Sequence, residues 1–230
     1  MDAVFLQGTG ELMIKKLSTY NVEYFFAEKE KMNYVVYGNS IFSYSKSTEF
    51  KSGLFLFGMV KKDFDNWLLN NPNPTFTENY PPYFISRANN GFKKKKYSYD
   101  INHCFWRIAF INGYISENTY NHGLRLKEKN QSLKQLYCMA LSVQGQSKTL
   151  DGYIGTKKTG KTLTIQKNPI HKEIYNDIRN RTFKIMDKIS FALKEDFLEY
   201  NVDCITFKMA KNCKLVEKIL TDENLQFKKI

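Results

Sequence analysis

Two aspartates sit where metal-assisted phosphoryl chemistry could be built. Asp100 closes the segment Tyr97-Ser-Tyr-Asp100, and Ile-Asn-His-Cys-Phe105-Trp-Arg107 follows at once. Asp203 lies 103 positions later, in Tyr200-Asn-Val-Asp203-Cys-Ile-Thr-Phe207. Two carboxylates from distant strands can share divalent cations, Mg²⁺ or Mn²⁺, for an in-line displacement at phosphorus. Hard oxygen ligands suit these ions, and the metals neutralise charge on the attacking and leaving oxygens. Strand ends suit the acids, because a sheet holds their separation better than loops do. Each acid also has a simpler role open to it. Asp100 precedes a helical pattern, where the helix dipole favours an anion. Asp203, within an apolar strand, must face solvent or a partner.

The charge distribution bears on the same question. The formal net charge is +12 over 230 residues. Residues 91–172 hold 15 Lys and Arg against four acids (Asp100, Glu117, Glu128, Asp151), so nearly all of the surplus is in one segment. Lys93, Lys94, Lys95 and Lys96 open that segment, and Lys157, Lys158 and Lys161 lie near its far end. A focused positive charge suits a polyanion, here a nucleic-acid backbone. The competing reading is a solvated face in a Lys-rich composition.

The elements that must position these groups follow from periodicity. Tyr97 to Asp100 reads as a strand, and 102–112 as a helix stopped by Gly113. Leu133, Leu136, Tyr137, Ala140 and Leu141 share one helical face. Residues 145–166 alternate and are rich in turn formers, which predicts a hairpin. Asn168-Pro169 offers an N-cap and a first-turn proline. Behind it, Ile174, Ile178, Ile185, Ile189 and Leu193 form the apolar stripe of a long helix. Residues 200–207 read as a strand and 212–221 as a closing helix with Leu215, Val216, Ile219 and Leu220 inward. Upstream, 35–39 and 53–58 read as strands closed by glycine turns, and 62–69 as a short helix ended by Asn71-Pro72-Asn73-Pro74. The expected organisation is a β-rich N-terminal region over 1–90 and an α+β domain over 91–230. In that domain, helices pack on one face of an antiparallel sheet.

Two further features bound the function. Cys104, Cys138, Cys204 and Cys213 show no CxxC or zinc spacing and read as small hydrophobes in a reducing compartment. No leader pattern and no uncharged run of about 20 residues is present, so a soluble, cytoplasmic protein is expected. Gly155-Thr-Lys-Lys-Thr-Gly160-Lys161-Thr162 meets the Walker A pattern letter for letter. A phosphate-binding loop must open a helix, and the β-branched Leu163-Thr-Ile-Gln-Lys-Asn-Pro169 that follows predicts none. The segment reads as a basic hairpin tip.

The segment from Asp100 resembles motif A of family-B DNA polymerases, Asp-x-x-Ser-Leu-Tyr-Pro. His103, Cys104 and Trp106 stand where that pattern has Ser, Leu and Pro. Tyr200-Asn201-Val202-Asp203 resembles motif C, Tyr-x-Asp-Thr-Asp-Ser, with Asn201 in place of the first aspartate. Motif B, Lys-x-x-x-Asn-Ser-x-Tyr-Gly, is not met at its spacing by Arg125, Lys127, Lys129, Asn130, Lys134 and Tyr137. The resemblance covers roughly 92–227 and implies a reduced, palm-like α+β domain.

By that resemblance Asp100 and Asp203 are the catalytic, metal-binding acids and Phe105 lines the sugar pocket. Arg125, Lys127 and Lys134 are the candidates for the triphosphate. Nucleoside triphosphates and primer–template DNA are the implied partners, with other proteins completing fingers or thumb. The expected function is template-directed nucleotide transfer. The alternative is a catalytically silent, palm-derived protein that binds nucleic acid or serves a replication complex or virus particle. A composition rich in Lys, Asn, Tyr and Phe fits an AT-rich genome, that of a bacterium or its phage.

Overall fold

A computed structural model describes residues 4–7, 10–19, 24–29, 32–37, 40–44, 48–77, 85–86, 96–146, 148–154, 157–165 and 168–230. The chain forms two compact units, each built from two stretches of sequence: Met1–Asn66 with Asn121–Lys172, and Trp67–Tyr120 with Glu173–Ile230. The class is α+β, with seven helices and two sheets among the described residues.

The first unit carries a six-stranded sheet. Its strands are β1 (Val4–Gln7), β2 (Phe25–Lys29), β3 (Met32–Tyr37), β4 (Ser40–Tyr44), β7 (Lys148–Ile154) and β8 (Lys157–Ile165). They lie in the order β1-β4-β3-β2-β7-β8, antiparallel except for the β1–β4 pair. Helix α1 (Gly10–Thr19) contributes Leu17 to a cluster with Val35, Phe42 and Tyr44. Phe42 and Tyr44 flank Ser43 on β4, the alternation a half-buried strand requires.

Helix α2 (Thr48–Asn70) overturns the strand expected at 53–58. The run Leu54-Phe-Leu-Phe57 satisfies a strand and a buried helix equally, and periodicity cannot separate them over so few residues. The short helix expected at 62–69 is the C-terminal part of α2. The helix ends where Asn71 Nδ2 donates to the Trp67 carbonyl, just before Pro72. Gly53 marks a close approach to α5 (Gln131–Ala140): a Cβ there would lie 2.4 Å from Leu136 Cδ1 and 3.0 Å from its Cβ and Cγ. Gly53→Val is therefore expected to destabilise by about 2 kcal/mol, overpacking outweighing the gain in helix propensity. Equilibrium urea unfolding checks it.

The second unit carries the motif-bearing sheet. β6 (Tyr97–Ile101) leads into α3 (Cys104–Ile111), and the chain returns on α6 (Ile170–Leu193). It then forms β9 (Phe197–Asn201), β10 (Cys204–Phe207), α7 (Cys213–Asp222) and β11 (Phe227–Lys229). With β5 (Ile85–Ser86) at the edge, the order is β11-β6-β10-β9-β5, antiparallel throughout. Taken in chain order, β6, β9, β10 and β11 form the split β-α-β-β-α-β arrangement. Helix α4 (Glu117–Lys129), α5, β7 and β8 leave this unit between α3 and α6, and residues 121–172 of that excursion belong to the first unit.

The expected long helix is α6. Asn168 Oδ1 accepts the Ile170 N–H at 3.2 Å, satisfying one of the amides a helix start leaves open. Ile174, Ile178, Ile189 and Leu193 are buried, as expected from the stripe. The apolar face of the sheet (Tyr99, Ile101, Tyr200, Ile205, Phe207) meets the helices. Tyr99 donates to Glu217 Oε1 of α7 at 2.5 Å, and Tyr200 to Asp187 Oδ1 of α6 at 3.1 Å. On α7, Val216, Ile219 and Leu220 turn inward, but Leu215 is 37% exposed, a correction to the expected inward face. The single strand expected at 200–207 is in fact two strands with a turn at Val202-Asp203. No described helix is long and apolar enough to cross a membrane.

Candidate functional site

The turn between β9 and β10 sets the backbone of Asp203 beside the end of β6, the strand that carries Asp100. Cys204 pairs with Asn201 on β9 and with Asp100 on β6, so Val202 and Asp203 form a two-residue hairpin loop beside the end of β6. The Ile101 N–H donates to the Asp203 carbonyl at 2.9 Å. On its other side, the Asn102 N–H donates to the Gln226 carbonyl at 2.7 Å. The chain carrying Asp100 is thus held from both flanks just before it enters α3, with His103 at φ +54° completing the turn. Asp100's own ladder partner is Cys204, so Asp203 stands one position along, opposite Ile101, and its backbone is a diagonal neighbour of Asp100.

Alternation assigns the faces. Tyr97, Tyr99 and Ile101 point to the helices, so Ser98 and Asp100 point to the opposite face. Register adds Thr206 beside Ser98, and Cys204 and Lys228 on either side of Asp100. Ser98 Oγ and Thr206 Oγ1 lie 3.0 Å apart. Lys228 Nζ is 3.1 Å from Asp100 Oδ2, with the lysine side chain 61% exposed and the aspartate 27%. One face of this sheet is therefore core, and the other is a polar surface carrying an acid of the pair.

Two thiols register both carboxylates. Burial raises the pKa of Cys104, and the negative charges of Asp203 and Asp100 raise it further against a lowering contribution from the Thr182 hydroxyl. Burial likewise raises that of Cys204, followed by Asp100, Asp203 and Glu199, with Lys228 acting in the opposite sense. Both effects disfavour the thiolate form. Among the described residues, no group of three or more His, Cys, Asp or Glu could hold a metal. Two carboxylates suit an ion that keeps several waters and completes its shell with substrate phosphate, which is how Mg²⁺ usually binds.

The hairpin turn is strained. Val202 sits at φ +54°, a conformation that β-branched side chains rarely adopt and that costs on the order of 1–3 kcal/mol. Ladders on both sides hold it there. Val202→Asn, which tolerates positive φ, is expected to raise stability by about 1 kcal/mol. A thermal melt of the two proteins checks it, and an unchanged or lower midpoint would contradict stored strain at this turn.

The other expected site residues are dispersed. Phe105 lies in the first turn of α3, half-buried, its ring edge-on to Tyr175 of α6 at 6.3 Å. Burial raises the pKa of Tyr175 while nearby Arg179 lowers it. Arg125, Lys127 and Lys134 belong to the first unit, not to the unit of Asp100 and Asp203. There Arg125 and Lys134 are exposed, and Lys127 Nζ lies 5.5 Å from the centroid of the Tyr137 ring. Lys96 is exposed at the start of β6, while Lys93, Lys94 and Lys95 lie outside the described residues. Lys157, Lys158 and Lys161 fall on β8 of the expected hairpin. Gly160-Lys161-Thr162 is therefore strand backbone, and no helix opens after it as a phosphate-binding loop requires.

Sequence reasoning missed Lys228 and Asp177. Lys228 sits on a three-residue strand at the chain's end, too short to carry a pattern. Asp177 was visible as an acid beside Ile174 and Ile178 in the apolar stripe of α6. A cleft of about 550 Å³ in this unit, lined by Ile108, Ile111, Lys184 and Phe191 among others, includes neither Asp100 nor Asp203. No protein-family model matches the chain, and no curated protein or solved structure matches it significantly.

Proposed function

We propose that this chain is a small nucleotidyltransferase of polymerase-palm type, acting on a nucleic-acid primer and a nucleoside triphosphate. The observation that carries the reading is the pairing of β6 with β10, which sets Asp203 in a hairpin turn beside Asp100. The split β-α-β-β-α-β order supports it. So does the excursion between α3 and α6, which occupies the place in the chain where a palm carries its fingers. Asp100 and Asp203 would hold Mg²⁺ or Mn²⁺, which would neutralise charge on the oxygens around the reacting phosphorus. Phe105 would lie against the sugar. The primer 3′-oxygen would bond to the α-phosphorus as the bond to pyrophosphate breaks, with the protein supplying position and charge. The basic segment, including Lys157, Lys158 and Lys161 on β8, would contact the phosphate backbone.

Primer extension on a labelled primer–template, with Mg²⁺ or Mn²⁺, tests the reading. Metal-dependent extension lost on substitution of either acid supports it. Nucleic-acid binding without extension in either metal favours the second reading, a silent palm-derived protein of a replication complex or virus particle. That reading draws on Asn201, which stands where the polymerase pattern has an acid.

A further inference from the structure

We propose that Lys228 is a built-in counter-ion on Asp100 that opposes the binding of a divalent cation there. The inference rests on the metal-site reading above and concerns a residue outside the motifs that suggested it. β11 pairs with β6 so that Lys228 is directly opposite Asp100, and its ammonium lies 3.1 Å from Oδ2. The register is set by strand pairing, with Phe227 opposite Ile101 and Lys229 opposite Tyr99, so the lysine is delivered to that carboxylate by the sheet. A one-residue slip would turn it to the apolar face.

An ammonium 3.1 Å from Oδ2 makes it costlier to bring a divalent cation to the same carboxylate, because like charges that close repel. Lys228 is also poorly anchored as a permanent partner. Its side chain is 61% exposed, and exposed ion pairs contribute little. The pair is close enough to compete with a metal and weak enough to give way. Once displaced, the ammonium remains on the polar face within the length of its own stem. There it can take up a phosphate oxygen brought in with the metal. Lys228 therefore acts as a positioning residue with two opposed effects, opposing metal alone and favouring metal with an anionic substrate.

Mn²⁺ titration followed by electron paramagnetic resonance tests this directly, on the full chain and without any assay of activity. Wild type, Asp100→Asn, Asp203→Asn, Lys228→Met and Lys228→Arg are compared, with circular dichroism confirming fold. Lys228→Met is expected to bind Mn²⁺ roughly three- to ten-fold more tightly than wild type, and Lys228→Arg about as wild type. In the presence of inorganic tripolyphosphate the order is expected to reverse, with Lys228→Met retaining the anion more weakly. If Mn²⁺ binding depends on Asp100 and Asp203 but Lys228→Met binds no tighter, the counter-ion role is wrong and the metal site stands. If neither wild type nor Lys228→Met shows binding that depends on the aspartates, the metal-site reading itself fails, and this inference with it.

Discussion

Asp203→Asn is expected to lower metal-dependent nucleotide incorporation by about a thousand-fold or more, with little change in stability. The substitution is nearly isosteric and keeps a polar side chain at a half-buried position of the hairpin turn, so a stability change within about 0.5 kcal/mol is expected. In the proposed site it would remove one of the two negative charges offered to a metal. Transition-state charge stabilisation by a metal contributes several kcal/mol, and about 4 kcal/mol corresponds to a thousand-fold in rate. Single-turnover extension at saturating nucleotide, alongside a thermal melt, separates the two effects. Retention of more than a tenth of the wild-type rate would remove Asp203 from the chemistry. Asp100→Asn should behave alike, because the two acids would act on one metal centre and their losses would not add.

Asp177→Ala is expected to cost about 3 kcal/mol of stability, the largest structural effect of any single change considered. Its carboxylate is fully buried on α6. Oδ1 accepts the Thr77 N–H at 2.5 Å, and Oδ2 accepts the Tyr114 hydroxyl at 2.6 Å and the Arg181 guanidinium one turn along. Asn180 Nδ2 also donates to the Thr77 carbonyl at 3.2 Å, so the strand-like segment after α2 is tied to α6 at two points. Truncation leaves the Tyr114 hydroxyl and the Thr77 amide without their acceptor. Breaking a buried charge pair costs about 3–5 kcal/mol, and the partial exposure of Arg181, whose head can turn to water, places this one at the lower end. A urea midpoint lower by about 1.5 M is the expected reading.

The same carboxylate makes stability depend on pH. Burial tends to raise its pKa, but the hydrogen bonds from Tyr114, Thr77 and Arg181 prevail and hold it below the ordinary carboxylate value. A depressed folded pKa means the stabilisation is complete above the unfolded value of about 4 and is lost as pH falls through the folded one. Wild type should therefore lose stability steeply below about pH 4, and Asp177→Ala should show a shallower fall over that range.

Much of the chain beyond residue 130 could be read from local chemistry. The stripe on α6, the buried face of α5 and the hairpin at 148–165 each follow from periodicity and turn residues within a few positions. So did the candidate acids, because a carboxylate beside apolar strand residues is conspicuous wherever it falls. The run at 53–58 misled because four apolar residues fit either period, and only the packing of Gly53 against Leu136 within a long helix decides between them. The turn at Val202-Asp203 was hidden for a different reason. It carries no glycine or Asn-Gly signal, and a valine at positive φ is imposed by ladders on both sides against its own preference.

By itself the sequence determined which residues could do chemistry, where the charge is focused and which faces are apolar, since these properties are local. Only the tertiary structure decided that Asp100 and Asp203 become neighbours, that Lys228 stands opposite Asp100 and that Asp177 is buried within a closed set of donors. Those facts are registers and contacts between residues 63 to 128 positions apart. Strand pairing sets them only after the entropy of closing long loops has been overcome, and no local propensity encodes that register.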